Sequence, residues 1–361
     1  MWGENMQNPF STTFSKMPEY TYISTIEPKE IVENFSYDSP TEAVYKITGI
    51  RGSGKTVILA NVQNEMKSKR NQENGWLVYT LNPARDMLSQ FAANLYNEGF
   101  IKEGIKSKSI SLSAQFLGTG GGIGFSKENN NMHFDIGVEI RKMLDEAQNQ
   151  GKKILICVDE VSKTQEMVVF SLEFGGWLVS NYPVYFVCTG LYENVLALGN
   201  TKNLTFFRRG TSIETKPLNR IKMSEMYKEK LSVDSELAQK MADITKGYAY
   251  AFQELGTLFF KNGKKSDLEA VIAELKAELF SYSYEKIWEE MSAEDKFLAS
   301  LLTEKEEYKR NEVLEMMGER SKNYSIYRDR LKKRGVISVR QGYIGLNPPF
   351  FGEYIREYGG I

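Results

Sequence analysis

Histidine is almost missing from this chain. Its 361 residues hold one, His133. A histidine-based metal centre and a Ser-His-Asp triad both need more than that, so those chemistries are excluded. Cysteine is nearly as scarce. Cys157 and Cys188 each lie inside an apolar run, which predicts two buried reduced thiols and a reducing compartment. No apolar run reaches the roughly 18 residues needed to cross a bilayer. The start, MWGENMQNPFSTTF, lacks a basic region followed by an apolar one, as a secretory signal would require. Together these absences predict a cytoplasmic protein with no membrane partner. An excess of charge is lacking too, because 46 Lys and Arg face 47 Asp and Glu for a formal net charge of -1. A polyanion can then be bound only by a local patch.

What is present is an alternation. VYKIT (44–48), WLVYTL (76–81), ILICV (154–158) and VYFVC (184–188) are short apolar runs that read as buried strands. Helical patterns lie between them at 55–69, 84–98, 135–149 and 164–181. Strands alternating with helices predict a parallel sheet covered on both faces. Residues 1–42 are turn-rich. Residues 218 to about 280 carry helical patterns and no strand.

GIRGSGKT, residues 49–56, falls between the first strand and the first helix. It fits G-x-x-x-x-G-K-[ST], with Gly49, Gly54, Lys55 and Thr56 at the fixed positions. In such a loop, glycines (here also Gly52) and the intervening Ser53 turn successive N–H groups inward around phosphate oxygens, at a helix N-terminus that favours anions. Lys55 would reach the outer phosphates, and Thr56 would put its hydroxyl on Mg²⁺. The second half of such a site is an acid at the end of another buried strand. KKILICVDEVSK supplies Asp159, to hold Mg²⁺, and Glu160, to orient or deprotonate an attacking water. VYFVCTG then ends on Thr189, which either contacts the γ-phosphate and the water or caps the following helix. FFRRG carries Arg208 and Arg209 just before SIETKPL, the last strand. They serve either a neighbouring subunit's phosphates or only the surface.

A second glycine-rich stretch, SISLSAQFLGTGGGIGFS (109–126), lacks the spacing of a dinucleotide site. The alternation on both sides predicts a hairpin inserted at about 107–127. Its tip is either a surface loop or a partner contact.

The last 80 residues give three helices and a hairpin. MSAEDKFLASLL opens with a capping box of Ser292 and Asp295. KRNEVLEMMG and SKNYSIYRDRLKKRG follow, then strand, turn and strand in VISVRQGYIGL. Between 322 and 340 lie seven basic residues and a single acid, Asp329, although acids and bases are equal in number across 282–361. In helix-turn-helix docking the start of the recognition helix meets base edges. That nominates Lys322, Asn323 and Ser325, with Arg328 a turn on. Lys332, Lys333 and Arg340 would then lie near DNA phosphates. The same module could instead dock a protein.

The set resembles the AAA+ ATPases, and more narrowly their prokaryotic branch of origin-recognition initiators, archaeal-type ATPases and STAND-like switches. GIRGSGKT resembles Walker A and ICVDE resembles Walker B. CTG stands at sensor 1, FFRRG at the arginine-finger position, and KPLNRIKMSEM at the junction into a helical lid. NPFSTTFSKMP resembles the entry segment of bacterial members. The resemblance implies a P-loop ASCE/AAA+ parallel sheet in 5-1-4-3-2 order, a helical lid and a C-terminal winged helix. It implies a nucleotide-binding core over 1–217, a lid over 218–281 and a winged helix over 282–361. It also implies ATP and Mg²⁺ as cofactors, ATP hydrolysis, self-association, and duplex DNA or another protein as partner. TKGYAYAFQELG (245–256) departs from the pattern. Where initiators carry a sensor-2 arginine, it offers Tyr248 and Tyr250, which implies slow turnover.

Overall fold

The computed structural model describes residues 7–13, 17–100, 135–262 and 267–360. The glycine-rich stretch at 107–127 and His133 lie outside them. After helix α1 (Glu27–Ser36) comes β1 (Val44–Thr48), then α2 (Lys55–Met66) and the short α3 (Lys69–Glu73). Next are β2 (Trp76–Leu81), α4 (Met87–Asn97), α5 (Ile136–Asn149) and β3 (Lys153–Val158). The unit is completed by α6 (Gln165–Val179), β4 (Val184–Gly190), α7 (Tyr192–Gly199), α8 (Thr205–Arg209) and β5 (Thr211–Glu214). The five strands are parallel, in the order β2-β3-β4-β1-β5. Read from the other edge, this is the expected 5-1-4-3-2.

Alternation along each strand explains why these runs read as continuously apolar. On β3, Ile154, Ile156 and Val158 face one core, with helices α4 to α8. Leu155 and Cys157 face the other, under α1 and α2. The central strands β1, β3 and β4 are therefore buried on both faces, while the edge strands β2 and β5 are only partly covered. The two cysteines are free, and Cys188 faces the first core while Cys157 faces the second. Burial pushes the Cys157 thiol up to about 12, and that of Cys188 higher still, so both stay protonated.

Helix starts follow caps. The pattern at 84–98 begins as helix only at Met87, because Asp86 accepts a hydrogen bond from the Ser89 N–H at 3.0 Å. The pattern at 55–69 stops at Met66, and a new turn starts at Lys69.

Beyond the sheet, α9 (Arg220–Leu231), α10 (Ser235–Ile244), α11 (Ala249–Asn262) and α12 (Leu268–Leu279) form the helical part. A π-turn (Phe280–Tyr284) runs straight from α12 into α13 (Glu285–Glu289). The chain thus crosses residue 281 inside one helical run. Then come α14 (Ala293–Ser300), β6 (Tyr308–Lys309), α15 (Arg310–Met317), a 3₁₀ turn (Gly318–Asn323) and α16 (Tyr324–Arg334). The segment closes with β7 (Ile337–Arg340), β8 (Tyr343–Leu346) and α17 (Phe351–Tyr358). Three helices before a hairpin is the order expected for this segment. Strand β6 adds to β8, and α17 is an extra helix. Side chains from Met223 to Ile355 share one hydrophobic cluster, joined by Phe10, Ile23 and Ile50 from the N-terminal half.

Candidate nucleotide site

The P-loop sits between β1 and α2, at the carboxyl end of the sheet. Gly52 and Gly54 take φ of +76° and +93°, where a side chain would be strained. Gly49 has no room for a Cβ against Thr215 and Ser53, whose hydroxyls bond each other at 2.9 Å. Lys55 Nζ donates to the carbonyls of Gly49 (3.1 Å) and Ile50 (2.9 Å). Burial, then the nearby Arg51 guanidinium, lowers the Lys55 pKa to about 8, against the opposing pull of Asp159, Glu160 and Glu290. An ammonium so destabilised gains most from an arriving anion.

Asp159 and Glu160 follow β3, and Thr189 lies near the end of the neighbouring β4. Thr56 Oγ1 lies 3.2 and 3.0 Å from the two carboxylate oxygens of Asp159. The buried Thr189 hydroxyl donates to Asp159 and accepts the Glu160 N–H at 2.9 Å. Glu160 adopts a left-handed φ of +57°, and the Thr189 bond helps hold that conformation. One hydroxyl therefore ties the Asp159 carboxylate to the backbone of Glu160. Thr56 and Asp159 present hard oxygen donors side by side, which suits Mg²⁺. Among the described residues, no cluster of three or more His, Cys, Asp or Glu side chains stands ready for a metal. A cation here would complete its shell with phosphate and water oxygens.

The cleft above the P-loop is walled on its other side by the N-terminal segment and the helical part, including Tyr22, Ile23, Leu218 and Tyr250. Gln253 on α11 ties that segment down. Its Oε1 accepts from the Ser11 N–H (3.1 Å) and the Thr21 hydroxyl (2.9 Å). Phe10 packs on Tyr227 and Phe252, over Gly256, where a Cβ would strike its ring. Tyr248, in the stretch that departs from the initiator pattern, braces the back of the P-loop. Its hydroxyl donates to the Arg51 carbonyl at 2.5 Å, and the Tyr250 N–H donates to the Gly52 carbonyl at 3.0 Å. Sequence reasoning marked GYAYAF as a departure but gave these tyrosines no contact. It likewise left Arg51 and the N-terminal wall unassigned.

Gly52, Ser53, Gly54, Lys55, Thr56, Asp159, Glu160 and Thr189 thus converge on one cleft, while Gly49 lies outside its lining, behind the loop. Arg208 and Arg209 do not. They end α8, and both are exposed. Thr211 pairs with Tyr45 at the start of β1, so the two arginines lie at the amino-terminal end of the sheet, opposite the P-loop. The buried Lys46 anchors that turn by donating to the Phe207 carbonyl at 2.7 Å.

The basic residues of 322–340 divide. Lys322 and Asn323 belong to the 3₁₀ turn, because the helix expected from 321 starts at Tyr324. Ser325, Arg328 and Lys332 fall at helical spacing along α16, with Arg328 paired to Asp329 at 2.6 Å. Arg340 is exposed on β7. Lys333 instead lies over the Tyr192 ring, 5.6 Å from its centre. Arg334 pairs with Glu193, and Arg330 is bound to Asp295 at 2.7 Å.

Residues 281–355 match a family model described as a domain of unknown function (DUF8462). Among curated proteins, none matches the chain in sequence. Solved structures resemble nearly all of it. A Walker-type ATPase of Pyrococcus abyssi superposes with a TM-score of 0.57 at 13% identity, covering 91% of this chain and 94% of its own. The ORC2 protein of Aeropyrum pernix, solved with ADPNP and ADP, gives 0.53 at 11% identity, covering 92% of each chain. Its ADP form gives 0.52 at 10%, covering 97% of this chain and 98% of its own. The fold is that of the P-loop AAA+ ATPases.

Proposed function

We propose that this chain, having the AAA+ ATPase fold, is a Mg²⁺-dependent ATPase switch that couples nucleotide binding and hydrolysis to DNA binding or assembly. The observation that carries the reading is the knot of Thr56, Asp159 and Thr189 beneath the P-loop, with Glu160 attached to it. Bound MgATP supplies an electrophilic γ-phosphoryl group with its charge partly neutralised. The chain's own residues do the rest. Backbone N–H groups of 52–56 receive phosphate oxygens at the start of α2. Lys55 leaves its two carbonyl partners for the phosphates. Thr56 and Asp159 would hold the cation. Thr189 keeps Glu160 at the mouth of the cleft, where its carboxylate accepts a proton from water. Arg208 and Arg209, lying away from their own chain's cleft, act on that of a neighbouring copy. Turnover then requires self-association.

The 282–361 segment acts as a winged helix. Lys322, Asn323, Ser325, Arg328, Lys332 and Arg340 offer a partly free basic face to duplex DNA. A second reading, a STAND-like signalling ATPase whose winged helix binds protein, draws support from Lys333 and Arg334. Arg334 is spent on the nucleotide-binding core, and Lys333, although exposed, leans over its Tyr192 ring.

Anisotropy titrations of a labelled duplex in ATP and in ADP, at several salt concentrations, separate the two. The DNA switch predicts affinities that differ between nucleotides, by about 5- to 100-fold, and fall with salt. No affinity in either nucleotide at low salt would overturn it in favour of the protein-docking switch.

A further inference from the structure

Arg51, the third residue of GIRGSGKT, has its side chain shared by two acids from distant parts of the chain. Its Nη2 lies 3.0 Å from Glu290 Oε1, and its Nη1 lies 4.0 Å from Glu160 Oε1. Its Nε is buried without a partner, so the guanidinium is not fully engaged by either acid. The backbone of Arg51 is tied to the same region as its side chain. The Tyr248 hydroxyl that donates to the Arg51 carbonyl also shares a 2.6 Å hydrogen bond with Ser283. Ser283 precedes α13 and Glu290 follows it. Arg334 of α16 donates to the Glu290 carbonyl at 3.2 Å, which joins that same corner to the basic helix. Gly335 packs against Ile50.

We propose that Arg51 is a positioning residue for Glu160, and that Glu290 competes with Glu160 for it, so that the seat of the 282–361 segment sets the rate of hydrolysis. The proposal rests on the reading of Glu160 as the acceptor of the water's proton. A guanidinium offers fixed donor directions, so a carboxylate drawn fully onto it is turned away from water. In the present arrangement Glu290 holds Arg51 more closely, and Glu160 is left loose. When the segment shifts and takes Glu290 with it, Arg51 swings to Glu160 and hydrolysis slows. Both acids are partly exposed, so this competition contributes little to stability. Its effect is on geometry at the reacting water.

Steady-state hydrolysis by the full chain tests this with three substitutions at 290. Glu290→Gln should lower kcat by up to about fivefold, the range an exposed ion pair supplies. Glu290→Lys, which repels Arg51, should lower it further, and Glu290→Asp should restore the rate. KM for ATP should stay constant throughout, and the spread among variants should shrink in high salt. A wild-type kcat in both Glu290→Gln and Glu290→Lys would overturn the proposal. So would a change confined to KM. Glu160→Gln, assayed alongside, separates this failure from that of the underlying reading. If it hydrolyses at the wild-type rate, Glu160 is not the acceptor. If it is inactive while the 290 series is flat, only the competition for Arg51 is wrong.

Discussion

The phosphate cleft and the basic helix α16 are both rich in charge, and they use it differently. In the cleft, the groups nearest the P-loop backbone have fixed places. The Asp159 carboxylate is held by two hydroxyls, the backbone of Glu160 by one of them, and Lys55 by two carbonyls. On α16, much of the charge is already consumed. Arg330 goes to Asp295, Arg334 to Glu193, Arg328 to Asp329 and Lys333 to a tyrosine face. A count of basic residues in sequence therefore overstates what the helix can offer a polyanion. A spaced motif such as GIRGSGKT does not, because its chemistry lies in backbone geometry that the glycines set.

This contrast can be broken or sharpened. The largest effect belongs to the fixed cleft. Glu160→Gln should keep ATP binding and lose turnover by about 10²- to 10⁴-fold, the usual contribution of a general base. Phosphate release beside a binding titration checks both. Next is the arginine pair, which has work only if a second copy supplies the partner cleft. Alanine at Arg208 and Arg209 together should cut turnover at least about tenfold with little change in nucleotide affinity. Adding Lys55→Ala protein, which keeps its arginines, should then restore activity. Turnover that neither depends on protein concentration nor responds to the substitutions would remove the role.

A third test uses pH. Free Lys55 has a pKa of about 8, below its ordinary 10.5, while bound phosphate would keep it protonated. Binding above pH 8 then takes up a proton, so affinity should fall with rising pH, by at most about tenfold per unit. Below pH 8 this group should contribute no slope. Titration calorimetry at pH 7 and 9, in buffers of different ionisation enthalpy, reads the uptake. The smallest effect is expected on α16. Lys332→Glu should weaken DNA binding a few-fold and flatten its salt slope by about one. Lys333→Glu, whose ammonium lies over Tyr192, should alter the slope less. Equal slopes for the two variants would mean that α16 is not seated on the core when DNA binds.

The sheet was legible because its strands are apolar runs bounded by turns, so VYKIT and WLVYTL could be read almost to the residue. The P-loop, Asp159, Glu160 and Thr189 were legible because their spacing is set by local chain geometry at strand ends. Helices α1 and α17 were missed. One starts at Glu27-Pro28 in a turn-rich stretch, and the other follows Pro348-Pro349, where a left-handed Phe350 restarts the chain. The roles of Tyr248, Arg51 and Glu290 were out of reach for another reason. Each depends on a contact across some 110 to 240 positions, and nothing local in GYAYAF or in EEM signals it.

The account rests on the cleft holding a nucleotide through Lys55. Titration of the full chain with ATP in the presence of Mg²⁺, beside Lys55→Ala, tests this most directly. The account predicts saturable binding, one nucleotide per chain, weakened on the order of 100-fold in the variant, as expected when one member of a buried charged pair is removed. Equal binding by the two proteins, or none by the wild type, would contradict it.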